Sequence, residues 1–113
     1  MITLNLKRED YWLDLPYGIR LFLKPATTAL VMAARIEALK EPDPDPALRG
    51  TILLKKLAQL AVIGWEGVGD DAGNPIEATP DDVEALMDLW PIAEAFERLY
   101  LTPALLLEQE KNE

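Results

Sequence analysis

The chain has 113 residues, half of them hydrophobic, and a net charge of −9 at neutral pH. This length fits one domain, expected over residues 1–113, and the apolar content is too high for intrinsic disorder. The sequence contains no His, Cys or Ser. It therefore cannot form a Ser–His–Asp or Cys–His nucleophilic system, a disulfide or the usual zinc site. We expect no enzymatic activity and no cofactor or metal.

The charges are distributed unevenly along the chain. Residues 57–97 carry ten acidic residues and no Lys or Arg. The acidic balance argues against nucleic-acid binding, and no apolar run approaches the ~18 residues of a membrane span. The first ten residues lack an apolar signal-peptide core, which favours a cytoplasmic location. We favour the interpretation that these acids lie on solvated helix faces and at the starts of helices. The alternative is that they form an acidic face that docks a basic partner or a second copy of the chain.

Residues 2–24 predict a small antiparallel sheet of about three strands. Alternating apolar residues with the period of a half-buried strand occur in three runs, at Ile2–Leu6, Leu13–Leu15 and Ile19–Leu23. The segment Pro16–Gly18 has turn chemistry. By the same parity Trp12 and Phe22 lie on the opposite face of the sheet, where we favour pairing across strands and the alternative is a contact surface.

A helix is predicted over residues 25–40, and Pro25 suits its first turn, where a missing N–H costs nothing. One apolar face of this helix is expected to be buried, formed by Ala29, Met32, Ala33, Ile36 and Leu39. Residues 41–47 then alternate Pro with acidic residues, which forbids a helix and favours an extended linker. No loop of converging oxygens accompanies these Asp residues, so a cation site is disfavoured.

The central helix is predicted over residues 48–64. Its polar residues Thr51, Lys55 and Gln59 fall in one stripe, and nearly every other residue is apolar. A helix that is apolar over most of its circumference must be covered on several sides, so we expect it to organise the core. Gly64 suits the left-handed residue that ends a helix.

Residues 65–78 are predicted to be a turn-rich loop. Its Gly and Glu positions do not match a calcium-binding EF-hand that begins at Asp70. Thr79, as cap, and Pro80, in the first turn, then begin a helix or a helix pair broken at Pro91 over residues 79–101. The buried residues of this region are predicted to be Val83, Leu86, Met87, Trp90, Ile92, Ala95, Phe96 and Leu99.

Several short motifs then form a wider pattern. The matching segments are GWEGV at 64–68, Asp71, GNP at 73–75, TPDDV at 79–83 and EKN at 110–112. Tyr11, Trp12, Gly18, Pro25 and the AAR sequence at 33–35 are consistent with it. This pattern resembles the tail assembly chaperones of long-tailed, non-contractile bacteriophages and of related prophages and gene-transfer particles.

The resemblance implies a protein without catalytic residues that binds the tape-measure protein and recruits tail-tube subunits. Such chaperones self-associate, often have a longer frameshifted form, and leave before the tail is complete. A location in the bacterial host cytoplasm, and not in the mature virion, is therefore expected. The alternative is a structural virion component, such as a tail terminator or head–tail joining protein. A carboxylate enzyme using Asp70, Asp71 or Glu77 is disfavoured, because no base or nucleophile accompanies these acids.

The expected partner contacts lie near the end of the chain. Residues 102–113 are predicted to be a tail in which Leu105, Leu106 and Leu107 either dock on the parent core, as we favour, or bind a partner. Core packing is favoured for Trp65 and Trp90, and a partner contact is the alternative for each. Structural roles are expected for the motif residues Gly64, Trp65, Gly67, Val68, Thr79 and Pro80.

Overall fold

The computed structural model describes residues 9–41, 45 and 48–103. Its strands are β1 (Tyr11–Asp14), β2 (Arg20–Leu23) and β3 (Val62–Glu66). Its helices are α1 (Thr28–Leu39), α2 (Arg49–Ala61), α3 (Pro80–Met87) and α4 (Trp90–Phe96), and a π-helical turn (Glu97–Leu101) continues α4. The predicted class, an α+β and mainly α fold with a three-stranded antiparallel sheet, is confirmed.

The sheet begins as the predicted hairpin. β1 and β2 pair antiparallel, and a three-residue turn at Pro16–Gly18 connects them. Trp12 lies opposite Phe22 with 5.0 Å between the ring centroids, so the expected cross-strand pair is confirmed. The predicted strand at Ile2–Leu6 lies outside the described residues. The third strand of the observed sheet is β3, which pairs with β2 on the side away from β1.

The predicted end of the central helix is wrong. α2 ends at Ala61, and the chain passes directly into β3, so Gly64 is a strand residue and not a helix cap. Two β-branched residues, Val62 and Ile63, begin this strand, and such residues favour a pleated surface. On β2, Leu23 pairs with Val62 and Phe22 with Gly64, with a shift of register between the two pairs, and Lys24 N donates to Ala61 O at 3.0 Å. The start predicted for the turn-rich loop, at residue 65, is also too early.

The helix predicted from residue 25 begins later, at Thr28, because the Thr27 hydroxyl caps it and accepts from Leu30 N at 3.2 Å. The face predicted to be buried is the exposed face: Met32, Ile36 and Leu39 are 46%, 57% and 84% exposed, and Ala29 and Ala33 are exposed too. Only Ala34 is fully buried in α1. The helix is apolar on nearly all sides, so periodicity alone could not determine which side meets α2.

α2 packs between α1 and α3, which confirms that it needed cover on more than one side. Its buried residues are Leu54, Leu57, Ala58 and Ala61. The polar stripe of α2 contacts its neighbours as well as solvent. Lys55 forms a salt bridge with Asp88, and Gln59 Nε2 donates to Pro80 O at 3.0 Å. The stripe therefore aligns α2 with the two ends of α3.

The region at 79–101 contains two helices. Thr79 caps α3 as predicted, because its Oγ1 accepts from Asp82 N at 3.2 Å, and Pro80 occupies the first turn. α3 ends at Met87, and α4 begins at Trp90, with Pro91 in its first turn. Pro91 thus starts a new helix where its missing N–H costs nothing.

The π-helical turn changes which aromatic and aliphatic residues are buried after α4. A π turn contains more residues than an α turn and therefore shifts the buried position along the chain. The predicted core residue Leu99 is 37% exposed, and Tyr100 is buried in its place. The Tyr100 ring stacks on Phe96 with centroids 4.9 Å apart, and its hydroxyl donates to Lys24 O at 2.7 Å. Tyr100 therefore ties the last described helix to the end of β2.

The loop after β3 is fixed to the sheet by the motif residues Trp65 and Gly67. Trp65 packs against the core, and its Nε1 donates to Ile76 O at 2.7 Å, so this indole holds the returning chain against β3. Gly67 has a φ of +83°, and a Cβ at this position would lie 2.4 Å from the carbonyl oxygen of Gly18. The loop can therefore approach the β1–β2 turn closely only with glycine at 67.

Replacing Gly67 with Ala tests this close approach, and Gly73 provides the control because it has the same φ of +83° with nothing within 4 Å. Both substitutions incur the left-handed backbone penalty of about 1 kcal/mol. Only Gly67→Ala adds a backbone clash, so we expect it to lower the free energy of unfolding by roughly 3 kcal/mol in total. Urea denaturation measures both losses, and equal losses would contradict the close approach.

Tyr100→Phe tests the buried hydroxyl. Burial raises the pKa of Tyr100 well above its ordinary value near 10, and Tyr11 acts in the same direction. The folded state therefore holds the hydroxyl proton of Tyr100 more tightly than the unfolded chain does. The stability that this hydroxyl contributes is fully present below pH ~10 and is lost as the pH rises above that value. We expect Tyr100→Phe to lower stability by about 1 kcal/mol at pH 7 and to weaken the alkaline loss. Denaturation at pH 7–11 measures this; Tyr17→Phe, at an exposed site, should keep the wild-type profile.

Candidate protein-binding site

The carboxylate of Asp70 is engaged by its own loop. Asp70 Oδ1 accepts hydrogen bonds from Ala72 N and Asn74 N, both at 2.9 Å, and Gly69 bridges to Pro75. These bonds stabilise the turn at 69–75. Within residues 9–41, 45 and 48–103, no group of three His, Cys, Asp or Glu side chains is placed to hold a metal ion.

Several acids of the 57–97 stretch have local partners. Glu66 pairs with Arg20 at 3.3 Å, Glu94 pairs with Arg98 at 3.1 Å, and Asp88 pairs with Lys55. Asp82 accepts a 2.8 Å hydrogen bond from the Thr79 hydroxyl at the start of α3. The pairs are partly exposed and each contributes little to stability. These four acids therefore have partners within the chain, and a basic binding protein is not needed to explain them.

The first candidate surface, which we name the Trp90 groove, lies between the first half of α2 and the α3–α4 junction. It has a volume of about 450 Å³. Its apolar lining consists of Leu53, Leu54, Met87, Trp90, Ala93 and Leu101. Its polar lining residues are Thr51, Lys55, Asp88 and Glu97. The groove thus combines apolar and polar lining residues, as protein-binding patches do.

The position of Trp90 corrects the core packing that we favoured. Its side chain is 74% exposed, although Leu86 and Met87 one turn earlier are buried. The break between α3 and α4 explains the difference, because α4 buries Ile92 and Phe96 and leaves its first residue on the outside. An exposed indole at the edge of an apolar groove is an unusual and informative feature. The predicted role of Trp90 as a partner contact stays a prediction.

The second surface, which we name the arginine groove, lies between α1 and the first half of α2. It also has a volume of about 450 Å³. Its lining consists of Arg35, Ala38, Leu39, Glu41, Arg49, Ile52 and Leu53. Leu53 lines both grooves, so they adjoin across α2.

The elements that form the two grooves carry exposed apolar side chains. They are Met32, Ile36 and Leu39 on α1, Leu48 just before α2, and Leu89 and Trp90 at the α3–α4 junction. Such a cluster marks an interaction site more often than scattered single residues do. The predicted contacts Leu105, Leu106 and Leu107 lie outside the described residues. The sequence does contain a feature that indicates this surface: α1 has more apolar residues than burial against one neighbouring helix requires, so some of them have to be exposed or covered by a partner.

No helix within the described ranges is both long and apolar enough to cross a membrane. Comparison with protein-family models, with curated proteins and with solved structures finds no match to this chain.

Substituting Trp90 should separate a surface role from a core role. Because the side chain is mostly exposed, we expect Trp90→Ala to change the free energy of unfolding by no more than about 0.5 kcal/mol. Phe96→Ala, at a fully buried position of the same helix, should lower it by about 3–5 kcal/mol. Denaturation followed by circular dichroism measures both. A loss above about 2 kcal/mol for Trp90→Ala would show that the indole supports the core.

Proposed function

We propose that this chain is a non-catalytic tail assembly chaperone of a long-tailed bacteriophage, a prophage or a gene-transfer particle. In this proposal it binds the tape-measure protein in the host cytoplasm, recruits tail-tube subunits and is missing from the finished particle. The resemblance of residues 64–83 to such chaperones supports the proposal. The structural observation that carries it is the exposed Trp90 beside an apolar groove.

The geometry of the Trp90 groove suits a helical partner. An amphipathic helix can lay its apolar face in a groove lined by Leu53, Leu54 and Met87, as in other helix-in-groove complexes. Trp90 would then lose most of its water contact, and buried Trp residues are enriched among those that dominate binding energy. A tape-measure protein that is long and rich in helices offers many such segments.

The polar lining of the groove suits reversible binding. Lys55 and Asp88, which form a salt bridge with each other, line the groove together with Glu97, so polar groups lie next to its apolar residues. A contact of this kind is small compared with the interface of an obligate complex, so it can be exchanged when the tail tube forms. Self-association of the chaperone belongs to the same proposal.

Co-expression with the tape-measure protein of the same particle tests the proposal. We expect the wild-type chain to form a complex with that protein and to increase its soluble fraction. Trp90→Asp should weaken the complex at least about tenfold, because it puts a charge where the apolar contact forms. Tyr17→Asp is the matched control, since Tyr17 is 76% exposed and lines neither groove. Absence of any complex with the wild-type chain would refute the chaperone role.

Mass spectrometry of purified particles separates the chaperone from a structural virion component. A chaperone should be missing from finished particles, whereas a tail terminator or head–tail joining protein would be retained in them. Retention of this chain would therefore replace the proposed function by the structural alternative.

A further inference from the structure

The arginine groove has a chemistry different from that of the Trp90 groove. Leu39 and Ile52, on opposite walls, provide an apolar lining, and Arg35 and Arg49 line the groove as well. Leu39 is 84% exposed and therefore has little cover from its own chain. The groove thus presents uncovered apolar surface next to two cationic groups.

The two arginines have no acidic partner within the part of the chain that the structure describes. Arg35 Nη1 contacts Met32 Sδ at 3.9 Å, and neither Arg35 nor Arg49 forms a salt bridge there. The one carboxylate of the groove lining, Glu41, pairs with Lys56 at 3.0 Å. Within the described residues, this chain of net charge −9 therefore presents two arginines without a salt bridge at an apolar groove.

We propose that the arginine groove binds an amphipathic helix of another protein whose apolar stripe is flanked by carboxylates. The stripe would pack between α1 and α2, and the carboxylates would pair with Arg35 and Arg49. Arginine suits this task because its planar guanidinium can accept a carboxylate with two parallel hydrogen bonds. The acidic surface elsewhere on the chain would repel the same helix, so charge directs it to this groove.

A second copy of the chain fits the groove less well. The exposed apolar stripe of α1, formed by Met32, Ile36 and Leu39, has Arg35 beside it. Docking that stripe of one copy in the groove of another would bring arginine towards arginine. Charge complementarity therefore favours an acidic partner helix.

Binding of a designed peptide tests the proposal independently of any role in tail assembly. The probe is a fluorescein-labelled helical 16-residue peptide with Leu at i, i+3, i+4 and i+7 and Glu on both flanks; the comparison peptide has Lys in place of Glu. We expect the full chain to bind the Glu peptide at least about tenfold more tightly in fluorescence anisotropy. Equal affinity for the two peptides would overturn the proposal.

Variants of the full chain locate the bound peptide. The double variant Arg35→Glu with Arg49→Glu should lose at least about tenfold in affinity for the Glu peptide. Lys24→Glu with Arg98→Glu makes the same change in net charge with residues that line neither groove, and should lose less than about threefold. Circular dichroism establishes that both variants are folded. Equal losses would show that net charge alone attracts the peptide, which contradicts a site at the arginine groove.

Cross-linking distinguishes other occupants of the groove. Because the chain has no Cys, the pair Ile52→Cys and Leu106→Cys reports on contact between the groove and the Leu105–Leu107 segment. We expect no disulfide under mild oxidation. An intramolecular disulfide would show that residues 104–113 of the same chain fill the groove, and an intermolecular one would assign it to a second copy. Either disulfide would overturn the proposal.

Discussion

The packing of α2 against its neighbours is the interaction on which the rest of this structure depends. Leu57, Ala58 and Ala61 on its second half are completely buried, and the chain then enters β3 without a connecting loop. The helix thereby fixes where the third strand starts and which edge of β2 it can reach. Because Trp65 and Gly67 follow at once, the same constraint also places the 67–79 loop against the β1–β2 turn.

The two halves of α2 have different surroundings, and this difference produces the candidate binding surfaces. The second half lies in the core beside the sheet, whereas Ile52 and Leu53 on the first half are only partly covered. α1 flanks the first half on one side and the α3–α4 junction flanks it on the other. One helix therefore organises the core and separates two adjoining apolar grooves.

Sequence patterns predicted the parts of the fold that depend on local chemistry. The β1–β2 hairpin, the Trp12–Phe22 pair and the cap at Thr79 follow from alternation, turn residues and capping preference. Tertiary contacts determined the rest. Val62 and Ile63 extend the apolar pattern of α2, and only the free edge of β2 makes them a strand. The spacing of apolar residues likewise could not identify the exposed face of α1, since both faces of this helix are apolar.

The candidate site was harder to predict than the fold for a physical reason. Trp90 continues the buried positions Leu86 and Met87 in helical spacing, so its exposure depends on a change of helix direction that spacing does not encode. A tryptophan that leaves the core in this way is costly to keep in water, because apolar surface gains about 25 cal/mol per Å² when it is covered. The high net charge of the chain favours solubility and so opposes non-specific aggregation through this exposed side chain. Specific association then depends on the local charge at each groove, and Arg35 and Arg49, which form no salt bridge among the described residues, give one groove a preference for carboxylates.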